Sequence, residues 1–346
     1  MRLFSYGYRS RGIGTFVKAF TKAFVRNAGD HDLTIWGNRD HLPDHLSSFP
    51  VIDYREGNWR SDLVRIPALI NQNKIDLVHH WVVCGPIWRI GLGIAHVCRS
   101  VSTVYDMGVQ LWDDPYLKAV KNSFYWRTQC FLVRKADRIM CISEATRSDL
   151  EKVISSVRGK TEVLYVPVDS QGLYRKTGRK PFFVALGGSS HKNLRRVVEA
   201  FCRFRKTNPQ FRLVVCGQIE NERELPEDIP EGIDFASMEE YPHLLKKASG
   251  LLFCSLYEGL GLPPLEAMGA GCPLLLSRIP VLSETCSGAG VFVDPHSTDD
   301  IRCGMEKLAH NVDCWSDMSC KGNHEYKKLS GVSVQRLADM YMKLGK

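Results

Sequence analysis

The chain has 346 residues, 44% of them apolar and 24% charged, and a net charge of +8; that length exceeds what one hydrophobic core usually serves and predicts two domains. No apolar run approaches the roughly 18 residues of a membrane span, and Met1-Arg2-Leu3-Phe4-Ser5-Tyr6 lacks the apolar core of a secretory signal, so a cytoplasmic protein is expected. Residues 1–170 carry 23 Lys and Arg against 17 Asp and Glu; without an arginine-rich run or recognition motif this excludes nucleic acid as the expected partner and leaves an anionic membrane face, a phosphorylated acceptor or a plainly solvated surface.

Along the first half, short apolar runs predict strands at 3–8, 33–36, 75–81, 101–105, 138–142 and 162–166. After the first comes Arg9-Ser10-Arg11-Gly12-Ile13-Gly14-Thr15-Phe16, where Gly12 and Gly14 would let the backbone approach a phosphate. The helix that follows sets Phe16, Phe20 and Phe24 opposite Lys18, Lys22 and Arg26; a core face with a solvated back and a membrane-touching helix both fit this pattern. His79-His80 ends a strand without a third ligand nearby, which reads either as the lining of an acceptor pocket or as packing. Ser143 is placed to cap a helix after the strand at 138–142.

The polar stretch 169–180 predicts a linker, and strands follow at 182–186, 212–216, 233–235, 251–254, 273–276 and 290–293. Alternation with helices in both halves predicts doubly wound parallel sheets, α/β in class. Twelve cysteines include no C-x-x-C, and Cys141, Cys216 and Cys254 fall inside strands, as reduced structural thiols would.

Two clusters in this half carry chemistry. Gly187-Gly188-Ser189-Ser190-His191-Lys192-Asn193 precedes a helix with apolar positions Leu194, Val197, Val198, Phe201 and Phe204. A serine of the loop is expected to cap that helix. Lys192 at its start is either an exposed helix-end residue or the partner of an anion. Ser255 to Gly271, S-L-Y-E-G-L-G-L-P-P-L-E-A-M-G-A-G, follows an apolar strand and places Glu258 and Glu266 eight residues apart. A helix is expected to open at Pro263 or Pro264. Amides at its start suit a phosphate, and flanking carboxylates suit hydroxyls, so a nucleotide sugar fits both.

The Ser255–Gly271 segment resembles the E-x7-E signature of retaining GT-B glycosyltransferases of family four. The resemblance continues through Cys272–Ser277, Glu284 and Val291-Phe292-Val293-Asp294-Pro295. Lys135-Ala136-Asp137-Arg138-Ile139-Met140-Cys141-Ile142-Ser143-Glu144 also matches the family, as a structural segment. The resemblance implies a GT-B fold: an acceptor domain over 1–168, a nucleotide-sugar domain over 169–332, and a helix over 333–346 returning to the first.

It also implies a metal-independent enzyme needing no cofactor. Such an enzyme moves a hexose, by analogy from GDP-mannose, to a hydroxyl of a surface polysaccharide or glycolipid, at the inner face of the membrane or in the cytoplasm. The implied roles are catalytic for Glu258, Lys192 and Asp106; donor binding for Glu266, Gly261, Leu262, Gly188, Ser189, Gly12 and Gly14; and acceptor binding for Tyr105, His80 and Arg11. Two departures stand out. Tyr105 occupies the place of a family histidine, and the arginine that relatives carry about five residues before the lysine falls on Gly187 or Gly188, leaving Arg195, Arg196 or His191 to replace it. A non-catalytic GT-B binding subunit and a GT-B nucleotide-sugar epimerase are the alternatives.

Overall fold

Aliphatic strands that alternate with amphipathic helices favour parallel sheets whose two faces are buried beneath helical layers. The computed structural model shows three parallel sheets among the described residues, of six, four and two strands. It describes residues 17–19, 21–22, 25, 34–37, 46, 48–53, 59–80, 97–111, 121, 123–166, 178–218, 225 and 229–344. Two units emerge, Met1–Pro167 with Leu329–Lys346, and Val168–Lys328.

In the first unit β1 (Ile35–Gly37) pairs in parallel with β2 (Val51–Asp53), a strand absent from the expected set. A helix α1 (Trp59–Gln72) leads to a four-stranded parallel sheet of β3 (Leu77–His80), β4 (Arg99–Val104), β5 (Arg138–Cys141) and β6 (Thr161–Val163). Between β4 and β6 lie the short α2 (Gly108–Leu111), α3 (Phe124–Lys135) and α4 (Glu144–Val153). Ser143 caps α4 as expected, its hydroxyl accepting from the Thr146 amide at 3.0 Å. Asp137 earns its place at the end of the Ala-Asp turn by accepting the Ser100 amide at 2.8 Å, which ties β4 to β5. Val104, Trp126, Ile139, Cys141 and Leu150 share one core. The expected strand at 3–8, Arg11, Gly12, Gly14, the phenylalanines of the first helix and most of the 169–180 linker lie outside the described residues.

The second unit holds a six-stranded parallel sheet in the order β12-β11-β10-β7-β8-β9. Its strands are β7 (Lys180–Leu186), β8 (Arg212–Cys216), β9 (Ile233–Ala236), β10 (Ala248–Phe253), β11 (Leu274–Ser277) and β12 (Val291–Val293). The helices are α5 (Leu194–Arg205), α6 (Tyr241–Leu245), α7 (Leu262–Gly269), α8 (Pro280–Thr285) and α9 (Thr298–His310). Every apolar position expected of α5 is buried. Phe204 packs on Phe183 and Phe211, with ring centroids 5.5 and 5.2 Å away. Cys141 and Cys216 are buried on their strands and Cys254 directly after β10, which stops one residue short of the expected strand end, and loss of solvent pushes all three thiols up to about 12. β10 starts three residues before the expected strand because the polar Ser249 is satisfied in place, its hydroxyl donating to the Lys180 carbonyl at 2.7 Å.

The last helix, α10 (Val312–Leu344), is far longer than the expected one from Ser333. From Leu329 onward it belongs to the first unit. There Tyr341 bonds to His79, whose other ring nitrogen meets the Thr103 hydroxyl at 2.7 Å, and Arg99 donates to the Leu344 carbonyl at 2.6 Å. No helix among the described residues is long and apolar enough to cross a membrane.

Candidate active site

The strand order of the second unit reverses between β7 and β10. β8 and β9 continue on one side, β11 and β12 on the other. Loops leaving the carboxyl ends of two such strands diverge and leave a crevice, the usual ligand site of open α/β sheets. The loops here are 187–193 and 254–261, and the Leu256 amide donates to the His191 carbonyl at 2.8 Å, holding them side by side.

The first loop ends in a 3-10 turn, Ser190–Lys192, and then in Asn193 at φ 60°, in the left-handed region. Asn193 occupies the N-cap of α5 without a side-chain cap, and Ser189 precedes the 3-10 turn instead. The serine cap expected for α5 is therefore not formed, because the intervening turn removes the serines from the helix end. Lys192 stands in that turn rather than on α5. Gly188, at φ 141°, lies where a side chain would be strained and close to the Lys192 stem.

Asn193 is 3% exposed, and its amide donates to the Cys254 carbonyl at 3.0 Å and the Pro295 carbonyl at 2.8 Å. Its carbonyl oxygen accepts from Arg196 at 2.8 Å. This residue is the pivot of the crevice, tying the first loop to the ends of β10 and β12. Asparagine is the side chain that combines tolerance of a left-handed backbone with two donors. Asn193→Ala is expected to cost about 2–4 kcal/mol in urea denaturation, since it strands two buried carbonyls and strains the backbone. Asn193→Gly should recover only about 1 kcal/mol of that, through the backbone alone.

The second loop turns on Gly261, at φ 85°, where a β-carbon would meet Leu282 at 2.7 Å. α7 opens at Leu262, one residue ahead of the expected proline, with Pro263 taking up the early position that needs no amide donor. No side chain caps α7, and because Pro263 and Pro264 carry no N–H, the amides its start can offer an anion are those of Gly261 and Leu262, together with the helix dipole.

Lys192 and Glu258, 66 residues apart in sequence, form an ion pair, Nζ to Oε1 2.7 Å. The side chains are 20% and 12% exposed, so solvent screens the pair far less than a surface bridge. The ammonium also lies 5.0 Å from the centroid of the Phe253 ring, within cation–π range. Sequence reasoning did not single out Phe253 or Asn193. The signal for Asn193 was its non-glycine capacity for the left-handed backbone directly before a helix. Phe253 carried none, because an aromatic residue ending a buried strand reads as core.

Glu266 sits one turn into α7, with Tyr241 close enough for its charge to act on the phenol. The Tyr241 hydroxyl donates to the Pro263 carbonyl at 3.1 Å. Burial alone pushes the Glu266 carboxyl up to about 7. Of the arginines considered as replacements for the absent clamp, Arg195 is exposed and pairs with Glu199 at 3.2 Å, and Arg196 is held by Asn193.

In the first unit, Asp106 accepts the Gly108 amide at 2.8 Å and so starts α2. Tyr105 is buried beside it, its carbonyl accepting from the Thr146 hydroxyl at 3.3 Å, and both line a small cavity with Trp126, Gln129 and Cys130. His80 ends β3 opposite Ser102, and its side chain lies outside the described residues. Its neighbour His79 is engaged in packing α10, which resolves one half of the histidine pair in favour of structure.

Comparison with known proteins bears on both units. Residues 174–322 match the family profile described as glycosyl transferases group 1, and residues 10–171 that of glycosyltransferase family 4. The chain is 25% identical over 278 residues to the O-antigen chain mannosyltransferase RfbU of Salmonella typhimurium, an alignment covering 77% of this chain and 73% of that protein. It is 33% identical over 93 residues to O-antigen chain mannosyltransferase B of Escherichia coli, 27% of this chain and 24% of that one. Among solved structures, sucrose-phosphate synthase from Thermosynechococcus elongatus superposes with a TM-score of 0.73 at 15% identity, covering 96% of this chain and 94% of its own. HepE from Anabaena, in complex with UDP, superposes with a TM-score of 0.68 at 13% identity over 90% of this chain and all of its own. These two superpositions speak to the fold.

Proposed function

Because the chain belongs to the family-four glycosyltransferases of GT-B fold, we propose that it moves mannose from GDP-mannose to a hydroxyl of a growing surface polysaccharide or glycolipid, with retention at the anomeric carbon. The observation that carries this reading is the Lys192–Glu258 pair at the β7/β10 crevice, beside an uncapped helix end and a desolvated Glu266. The sugar and the polysaccharide class follow from the names of the similar mannosyltransferases.

In this reading the Lys192 ammonium and the Gly261 and Leu262 amides at the start of α7 take the charge that builds on the leaving diphosphate. Glu258 accepts hydrogen bonds from the sugar hydroxyls and faces the positive character of the ring, and Glu266 accepts from the ribose hydroxyls. Gly188, Ser189, Gly261 and Leu262 shape the phosphate pocket. The bond from the anomeric carbon to phosphate oxygen breaks, the acceptor oxygen bonds to the same face, and the acceptor proton passes to that phosphate oxygen. Asp106 assists on the acceptor side, where Tyr105, His80 and Arg11 contribute contacts. The +6 balance of residues 1–170 favours a peripheral approach to an anionic membrane face that presents a lipid-linked acceptor.

Incubating the protein with a panel of nucleotide sugars, with and without lipid-linked acceptors, and following nucleoside diphosphate release tests the reading. Acceptor-dependent release of GDP from GDP-mannose is the expected result, and binding without turnover would favour a non-catalytic subunit. No Asp-x-Asp lies near the donor segments, and Lys192 with the helix amides supplies the positive charge, so the rate should be unchanged in excess EDTA. A rate that collapses on chelation and returns with manganese or magnesium would refute this account of the phosphate site.

A further inference from the structure

The Lys192 ammonium is held by two groups from the end of a single strand and its loop. The Glu258 carboxylate contacts it at 2.7 Å, and the face of Phe253, the last residue of β10, lies 5.0 Å away. Phe253 is 2% exposed and cannot follow a moving partner, whereas Glu258 sits on the loop beyond it. These two partners treat an incoming anion differently. The ring is neutral and leaves the ammonium N–H groups free. The carboxylate engages one of them and repels any phosphate oxygen that comes to the same cation.

We propose that Glu258 is an internal stand-in for the donor diphosphate, holding Lys192 against Phe253 by the contacts seen here, so that a nucleoside diphosphate must displace it while an intact nucleotide sugar gives it new partners. This rests on Lys192 being the diphosphate ligand, as read above. When the donor binds, Glu258 leaves the ammonium and accepts hydrogen bonds from sugar hydroxyls, which replaces one charge-assisted contact by others. After transfer the sugar is gone, Glu258 has no hydroxyl to receive, and it competes for Lys192 again. The same carboxylate thus couples recognition of the sugar to recognition of the phosphates and helps expel the product. Phe253 is a positioning residue that keeps the ammonium at the crevice while its anionic partner changes.

Calorimetric titration with GDP and with GDP-mannose, repeated with UDP and UDP-glucose, tests this on the full chain. Glu258→Gln is expected to tighten nucleoside diphosphate binding roughly tenfold while tightening the nucleotide sugar less or weakening it, so that the preference for the intact donor shrinks. In a Lys192→Met background the effect of Glu258→Gln on the diphosphate should vanish. Phe253→Leu should weaken the diphosphate about threefold with Lys192 present and not at all in Lys192→Met, a dependence that a merely structural role would not produce. Unchanged or weaker diphosphate binding in Glu258→Gln, with Lys192→Met still weakening it, overturns the stand-in role and leaves the donor assignment standing. Diphosphate binding indifferent to Lys192→Met, or no binding of either nucleotide to the unaltered protein, overturns the donor assignment itself. Should Phe253→Leu fail to fold, the cycle between Glu258 and Lys192 decides alone, since both side chains reach solvent.

Discussion

Lys192→Ala is expected to lower turnover by roughly a hundredfold or more, about 3 kcal/mol of lost transition-state stabilisation, with the melting temperature close to that of the unaltered protein. The structure explains why one side chain should carry so much. Arg195 faces outward to Glu199, and Arg196 is committed to Asn193, so neither offers a guanidinium at the place of the family's arginine. The amides of α7 are fixed dipoles and replace an ammonium only in part. Lys192→Arg should restore only part of the rate, because a planar fork replaces a point charge in a loop where the lysine stem already runs 3.5 Å from where a β-carbon on Gly188 would lie. Steady-state kinetics would separate the outcomes. A near-normal rate in Lys192→Ala together with a lost rate in Arg196→Ala would place the phosphate clamp one turn along α5.

Glu266→Ala is expected to weaken nucleoside diphosphate binding by roughly thirtyfold, about 2 kcal/mol for the charge-assisted bonds to a ribose, while the fold is kept. The raised carboxyl of Glu266 adds a pH signature. Burial places it at about 7, so the charged form that accepts two hydroxyls becomes available as pH rises through neutrality. Nucleotide affinity should therefore increase from pH 6 to 8, with proton release on binding below pH 7, and Glu266→Gln should flatten the profile. Stability of the empty protein moves the other way. A carboxyl raised on folding contributes stability that is complete below the usual glutamate range and is lost as pH climbs through about 7, so Glu266→Gln should resist that loss. Calorimetry across pH in buffers of different ionisation enthalpy reads both effects, and equal affinity in the unaltered protein and Glu266→Ala would remove Glu266 from the donor site.

Local patterns were enough for most of the fold. The i, i+3, i+4, i+7 spacing of Leu194, Val197, Val198, Phe201 and Phe204 specifies a helix with one buried face, and all five are buried. The apolar runs of β8 and β5 lie where their composition placed them, to within a residue. Glu258 and Glu266 lie on a loop and the helix it feeds, so eight residues of sequence already set their neighbourhood. The length of α10 was less legible: the helix contains Gly322 and Gly331, and a glycine inside a helix costs about 1 kcal/mol against alanine. Gly322 instead lets the helix pack closely, its missing β-carbon leaving room for Ala289 and Met268.

What the sequence determined by itself is the set of elements, the buried faces and the two chemical clusters, because these depend on periodicities and turn chemistry that act over a few residues. The tertiary structure alone decided how the clusters meet. Lys192 and Glu258 touch because β7 and β10 are hydrogen-bonded neighbours at the reversal of strand order, an adjacency that no local pattern encodes. Packing decided the cation–π seat on Phe253, the left-handed pivot of Asn193 and the desolvation that raises Glu266. Each is a property of what surrounds a side chain, and those surroundings come from distant segments that only the folded sheet brings together.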